Sequence, residues 1–129
     1  MNSYEINEDT IALIPYNNMT KVYEKDDSFL VNKDANKIIE DSCEYFGSSY
    51  DGRKKGTTSL TGITHKVPII IEESKNIIFF PTSSPRLNKC AWISLNHIDK
   101  YYKDDIYCII EFKNQRKLML NISYGSLDN

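Results

Sequence analysis

An α+β fold, an antiparallel sheet packed against one or two short helices with a β-rich C-terminal half, follows from three features of this 129-residue sequence. Nine Tyr, five Phe and one Trp suit the pleated face of a sheet better than a helix. Short β-branched runs bounded by turn residues recur from residue 66 to residue 122. Residues 35–46, by contrast, carry Ile38, Ile39, Cys43, Tyr45 and Phe46 at three- and four-residue steps, the spacing of one helical face.

Taken in order, residues 10–15 (Thr-Ile-Ala-Leu-Ile-Pro) and 21–23 read as strands on either side of the turn-forming pair Asn17-Asn18. Residues 29–31 add a third strand to this N-terminal meander. Asn32 or Asp34 can cap the helix over 35–46, and Gly47 can stop it. Ser48 or Ser49 can cap a second short helix reaching Lys55, although Gly52 and Gly56 weaken it; a helix start and an ordered loop both expose N–H groups there. Residues 66–72 with the run Ile69-Ile-Ile71, a turn at 73–76 and residues 77–80 stopped by Pro81 form a hairpin. Residues 82–89 read as a loop and 91–95 as a strand holding Trp92, whose ring belongs in the core; removing it would cost about 3–5 kcal/mol. Residues 106–112 and 117–122 make a second hairpin across 113–116. No repeat or linker divides the chain, so a single domain over 1–129 is expected.

Composition removes several classes. The hydrophobic content of 40% and charged content of 26% are globular values. The longest apolar stretches, 67–71 and 77–80, fall far short of the roughly 20 residues a bilayer requires. The acidic, polar N-terminus is unlike a secretory signal, so a cytoplasmic protein is expected. Cys43, Cys90 and Cys108 are odd in number and widely spaced, which favours buried packing over a disulfide framework or redox pair. His65 and His97 stand far apart, and neither a metal nor a cofactor is called for.

The net charge of −2 conceals a strong asymmetry. Residues 1–46 hold four Lys against ten acids, residues 47–92 seven Lys or Arg against three acids, and residues 93–129 five against five. Most of the basic excess lies in 47–66, where Arg53, Lys54, Lys55 and Lys66 face only Asp51 among many hydroxyls. Basic groups neutralise phosphates, and hydroxyls and free N–H groups position them. A solvated basic loop has the same composition.

Four segments in order carry a resemblance. They are Ser42-Cys-Glu-Tyr-Phe-Gly-Ser-Ser-Tyr-Asp-Gly-Arg-Lys-Lys-Gly-Thr57, Thr61-Gly-Ile-Thr-His-Lys-Val-Pro-Ile69, Ile77-Ile-Phe-Phe-Pro-Thr-Ser-Ser84 and Cys90-Ala-Trp-Ile-Ser94. Together they closely resemble the bacterial competence transcription factor family, ComK, with likeness from about Tyr4 to the end. The resemblance implies an activator of DNA-uptake genes that binds AT-rich boxes of double-stranded promoter DNA through the minor groove, as a dimer or higher homo-oligomer. It also implies contacts with RNA polymerase and with an adaptor of regulated proteolysis. Members usually continue several tens of residues past the position of Ser123; that extension, linked to activation and adaptor control, is expected to be lacking here. Separately, Trp92-Ile-Ser-Leu-Asn-His-Ile98 and the hairpin after it are similar to the end of LytTR-type DNA-binding domains.

The expected DNA contacts follow from the basic segment. Arg53 is the first candidate for the minor groove, whose narrow A-tracts attract an inserted guanidinium. Lys54, Lys55 and Lys66 suit phosphates, and Ser48, Ser49, Thr57 and Thr58 can bond phosphate oxygens or act as simple caps. Tyr50 can pack on sugars or on the protein's own core. Arg86 and Lys89 offer a second contact, and His65 either a neutral hydrogen bond or a switch near pH 6.5. Two alternatives stand beside this reading: a truncated fragment that folds or dimerises without activating transcription, and a metal-dependent nuclease built on the E-x-K element Glu73-Ser-Lys75.

Overall fold

The computed structural model describes residues 1–62, 66–83, 85, 90–105 and 107–120. β1 (Thr10–Tyr16) turns back into β2 (Met19–Glu24) through Asn17 and Asn18, both at positive φ (46° and 64°). Asn tolerates that conformation better than other side-chain-bearing residues, and a two-residue hairpin loop with the right twist requires it. β3 (Ser28–Val31) completes the meander.

Helix α1 (Ala35–Tyr45) begins after Asp34, which sits at the cap position without a side-chain cap bond. It ends where Gly47 takes φ +80° and the Gly47 and Ser48 N–H groups return to the carbonyls of Glu44 and Cys43. Helix α2 (Tyr50–Thr61) follows, then β4 (Ile69–Glu72), β5 (Ile77–Pro81), β6 (Trp92–Ser94), a 3₁₀ turn (Leu95–His97), β7 (Ile98–Asp104), β8 (Tyr107–Phe112) and β9 (Lys117–Leu120).

These elements form three layers. A six-stranded antiparallel sheet, ordered β3-β2-β1-β6-β5-β4, lies between the helices and a three-stranded antiparallel sheet, β7-β8-β9. The period-two alternation of strands supplies both cores. Leu13, Val22, Phe79 and Trp92 point to Ile38, Ile39 and Cys43 of α1. Ala12, Tyr23, Phe80 and Ile93 point the other way, to Ile110, Phe112 and Leu120. A register shift between Thr10 and Ala12 lets the successive residues Ile11 and Ala12 both join the second core. Each fully buried Ile, Leu or Phe contributes about 1.5–3 kcal/mol.

The α+β class and the two hairpins agree with the sequence; several boundaries do not. The second helix runs to Thr61, well beyond Lys55. Lys66 does not start a strand: it takes φ +51° in a bend, and the strand begins at Ile69. The strand expected over 91–95 is shorter, because Leu95 already belongs to the 3₁₀ turn. β7 was not foreseen at all, since its run Asp-Lys-Tyr-Tyr-Lys-Asp offers no apolar alternation. The ends of the expected loop over 82–89 and of the last hairpin fall partly outside the described residues.

Candidate nucleic-acid interface

The segment that carries the basic excess is a helix with an open surface. α2 starts at Ser49, whose Oγ accepts the Gly52 N–H at 3.0 Å, and ends at Gly62, which takes φ +77° and donates its N–H to the Thr58 carbonyl. None of its residues is buried. A helix polar on all sides gains little from packing, so its position depends on a few anchors.

Two anchors lie at its N-terminal end. The Tyr50 ring meets the buried Trp92 edge-on, centroids 6.4 Å apart, and Trp92 Nε1 donates to Asn36 Oδ1 of α1 at 2.8 Å. Burial raises the Tyr50 phenol above its ordinary pKa. Arg53 is the second anchor. Its Nε donates to Ser48 Oγ at 3.1 Å and its Nη1 to Glu73 Oε1, in the turn between β4 and β5, at 2.7 Å. Ser48 Oγ in turn donates to the Cys43 carbonyl, which ties the guanidinium to the end of α1.

The expected contact residues therefore divide. Ser48, Ser49, Tyr50 and Arg53 make bonds or ring contacts within the protein that hold α2 in place. Lys54 and Lys55 are exposed and, among the described residues, make no ion pair. Thr57 and Thr58 are half-buried, with the Thr57 carbonyl accepting Thr61 Oγ1. Lys66 is half-buried in the bend before β4. His65, Arg86 and Lys89 lie outside the described residues. The Arg53–Glu73 pair had no sequence signal, since twenty positions separate partners that only the hairpin brings together.

The neighbourhood is not uniformly basic. Lys37 of α1 pairs with Asp41 at 3.2 Å and with Glu40 at 3.8 Å, while Glu40 and Glu44 stay exposed in the same helical layer as α2. The acidic first third thus does not lie wholly away from the basic helix. The thiols are passive: burial pushes Cys43 up to about 11, against a smaller lowering by Arg53, and raises Cys90 and Cys108 as well.

The E-x-K element is occupied by the turn itself. Glu73 holds Arg53, Lys75 lies 3.7 Å from Glu8, and Glu72 accepts both the N–H and the hydroxyl of Ser74, which lowers its pKa. Among the described residues no cluster of three or more His, Cys, Asp or Glu could hold a metal ion, and no helix is long and apolar enough to cross a membrane.

The whole chain, residues 1–129, matches the protein family described as ComK protein. The chain belongs to the ComK family. This ComK-family chain is 40% identical over 136 aligned positions to the competence transcription factor of Bacillus subtilis (strain 168), an alignment that covers all of it and 70% of that protein. No solved structure matches it. The family resemblance read from the four sequence segments is thereby confirmed, and those segments map onto the end of α1 with α2, the approach to β4, β5 and β6.

Proposed function

We propose that this ComK-family protein is a DNA-binding transcription factor for competence genes that grips AT-rich duplex DNA with the exposed side of α2. The observation that carries the reading is α2 itself: twelve residues with none buried, capped at both ends, presenting Lys54 and Lys55 without ion partners among the described residues. Family membership and the competence relative support the same reading.

In this reading Lys54 and Lys55 neutralise phosphates, releasing counterions and making affinity fall with salt. Thr57, Thr58 and Lys66 flank them as hydrogen-bonding and charged contacts. Arg53 enters the minor groove by exchanging Glu73 for the concentrated negative potential of an A-tract. Glu73 is 72% exposed, so that ion pair is worth about 1 kcal/mol or less and its release costs little. Two copies of the chain place two such helices on successive A/T boxes, since a two-fold protein suits paired half-sites. In this reading the protein acts on promoters rather than on a substrate, and RNA polymerase and a proteolytic adaptor are further partners only where those contacts do not require the family's C-terminal extension.

Fluorescence anisotropy tests this with a duplex carrying paired A/T boxes against a GC-rich duplex of equal length, at two salt concentrations. Tighter, salt-sensitive binding to the A/T duplex is the expected result. Equal or absent binding by the folded protein overturns the assignment.

A further inference from the structure

Leu60 is the most exposed large apolar side chain among the described residues, at 88%. It lies on α2, the helix with no buried residue, so no core accounts for it. A single exposed leucine is ordinary. Its place on the helix is not. At about 3.6 residues per turn, residues seven positions apart lie almost in line, so Leu60 stands two turns beyond Arg53 on the same flank. Gly56 lies between them on that flank, and a Cβ built there meets nothing within 4 Å. The flank thus carries a guanidinium, a bare turn of backbone and an isobutyl group, in that order. Lys54 and Lys55 leave the helix about 100° and 200° round from Arg53.

Each of these three features has a use above a minor groove, and the uses fit together. With α2 lying along the groove, seven residues span about 10 Å, or about three base-pair steps of roughly 3.4 Å. A leucine is short, so it reaches base pairs only where the helix backbone comes against the groove rim. The missing side chain at Gly56 leaves room for that approach. Helical side chains lean toward the N-terminus, which carries Leu60 over the Gly56 turn rather than past the helix end.

Apolar wedges set into the minor groove partly unstack neighbouring base pairs, and pyrimidine–purine steps such as TA yield most easily. Removing the leucine from water offsets part of the unstacking cost. We propose that Leu60 is such a wedge: it enters the groove beside Arg53 and unstacks a pyrimidine–purine step. Arg53 suits a stiff, narrow A-tract and Leu60 a flexible step, so their spacing calls for the two about three base pairs apart. This rests on the reading of α2 as the DNA-facing helix, and adds to it a residue that responds to the deformability of the duplex rather than to its charge.

The test uses duplexes that carry one A-tract and one TA step at successive distances from it. The adenine of the step is replaced by 2-aminopurine, whose fluorescence rises on unstacking. Anisotropy gives the affinity. The parent should bind tightest, and raise the fluorescence most, with the step about three base pairs from the tract. Leu60→Ala should bind that duplex roughly tenfold more weakly, leave the fluorescence at saturation near that of free DNA, and lose the preference for the position of the step. Leu60→Met should keep both properties. Lys54→Ala should weaken binding yet keep the fluorescence rise at saturation, because a phosphate contact unstacks nothing. Leu60 is exposed, so its variants should unfold at the urea midpoint of the parent. A parent that binds without a fluorescence rise at any position, or a Leu60→Ala protein that matches it in affinity and fluorescence, would overturn the wedge and leave α2 as the DNA-facing helix. A folded parent that binds none of the duplexes would remove the reading of α2 and the wedge with it.

Discussion

Arg53 on α2 and Glu73 in the β4–β5 turn are joined at 2.7 Å, so the residue best suited by sequence to enter a DNA groove is turned back onto its own fold. The carboxylate of this pair is exposed while the guanidinium is half-buried, so the ion pair itself holds Arg53 weakly and a stronger negative potential can draw it away. Arg53→Ala should therefore cost about 1–3 kcal/mol of binding to an A/T duplex, with about 1 kcal/mol or less of folding stability lost. Glu73→Gln should bind as well as the parent, or a few-fold better, because the arginine starts free. If Glu73→Gln weakens binding as much as Arg53→Ala does, the pair serves to position α2 and Arg53 does not touch DNA.

Gly56 lies in the interior of α2, and a Cβ built there meets nothing within 4 Å. Nothing within the described fold explains a glycine at a position where it costs roughly 0.8–1 kcal/mol relative to alanine. On the proposed reading, close approach of a DNA backbone beside Lys55 would favour it. Gly56→Ala should raise stability in urea by about 0.5–1 kcal/mol while lowering affinity for the A/T duplex. A more stable variant that binds as tightly as the parent would show that DNA does not approach this turn.

Much of the fold was legible because it follows from local rules. Asn17-Asn18 marked a tight turn, Gly47 a helix end, and the run Ile69-Ile-Ile71 a strand, each for a reason contained in a few neighbouring residues. Ser49 was legible as a cap in the same way, although the length of α2 was not: a helix with no buried residue leaves no periodic trace, and its glycines argued against it. β7 was hidden for a related reason, because after Ile98 its side chains are charged or aromatic on both faces and no alternation survives. The composition of 47–66 located the candidate interface but could not separate Lys54 and Lys55, which project, from Ser48, Ser49, Tyr50 and Arg53, which anchor. That division depends on Trp92 and Glu73, brought to the helix by strands 20 or more positions away.

Trp92 links the two halves of that anchoring. It is fully buried, carries the Tyr50 ring and donates to Asn36 Oδ1 at 2.8 Å. Trp92→Phe keeps an aromatic ring but leaves the Asn36 oxygen without its donor and opens a cavity. The expected loss is about 1–3 kcal/mol for the orphaned group, with a further cavity contribution. Since Tyr50 packs on the same ring, DNA affinity should fall too, while Asn36→Leu should lower stability with a smaller effect on binding. Urea midpoints for both variants, read beside anisotropy, check the expectation; a Trp92→Phe protein as stable as the parent would contradict it.

Asp41, Glu72 and His97 give the protein a defined dependence on pH below neutrality. Asp41 sits below its ordinary value of 3.8, first because Lys33 donates to it at 2.7 Å and then because Lys37 lies beside it. The unfolded chain therefore takes up the proton before the folded one, and this contribution is complete above about pH 3.8 and lost as pH falls through the lower folded value. His97 is also lowered, first by burial and then by Lys25, with Ser94 Oγ 2.7 Å from its Nδ1. Its neutral form belongs to the folded state, so stability begins to fall once pH drops through the unfolded value of 6.5 and levels off below the folded one. Urea midpoints measured from pH 8 to pH 3 should therefore show a shallow decline starting near 6.5 and a second one below about 4. His97→Gln should remove the first, and Asp41→Asn should reduce the second to the part that comes from Glu72, whose carboxylate Ser74 also holds below its ordinary value. A parent midpoint that stays flat between pH 7 and 5 would mean that His97 is as free to protonate in the fold as in the open chain.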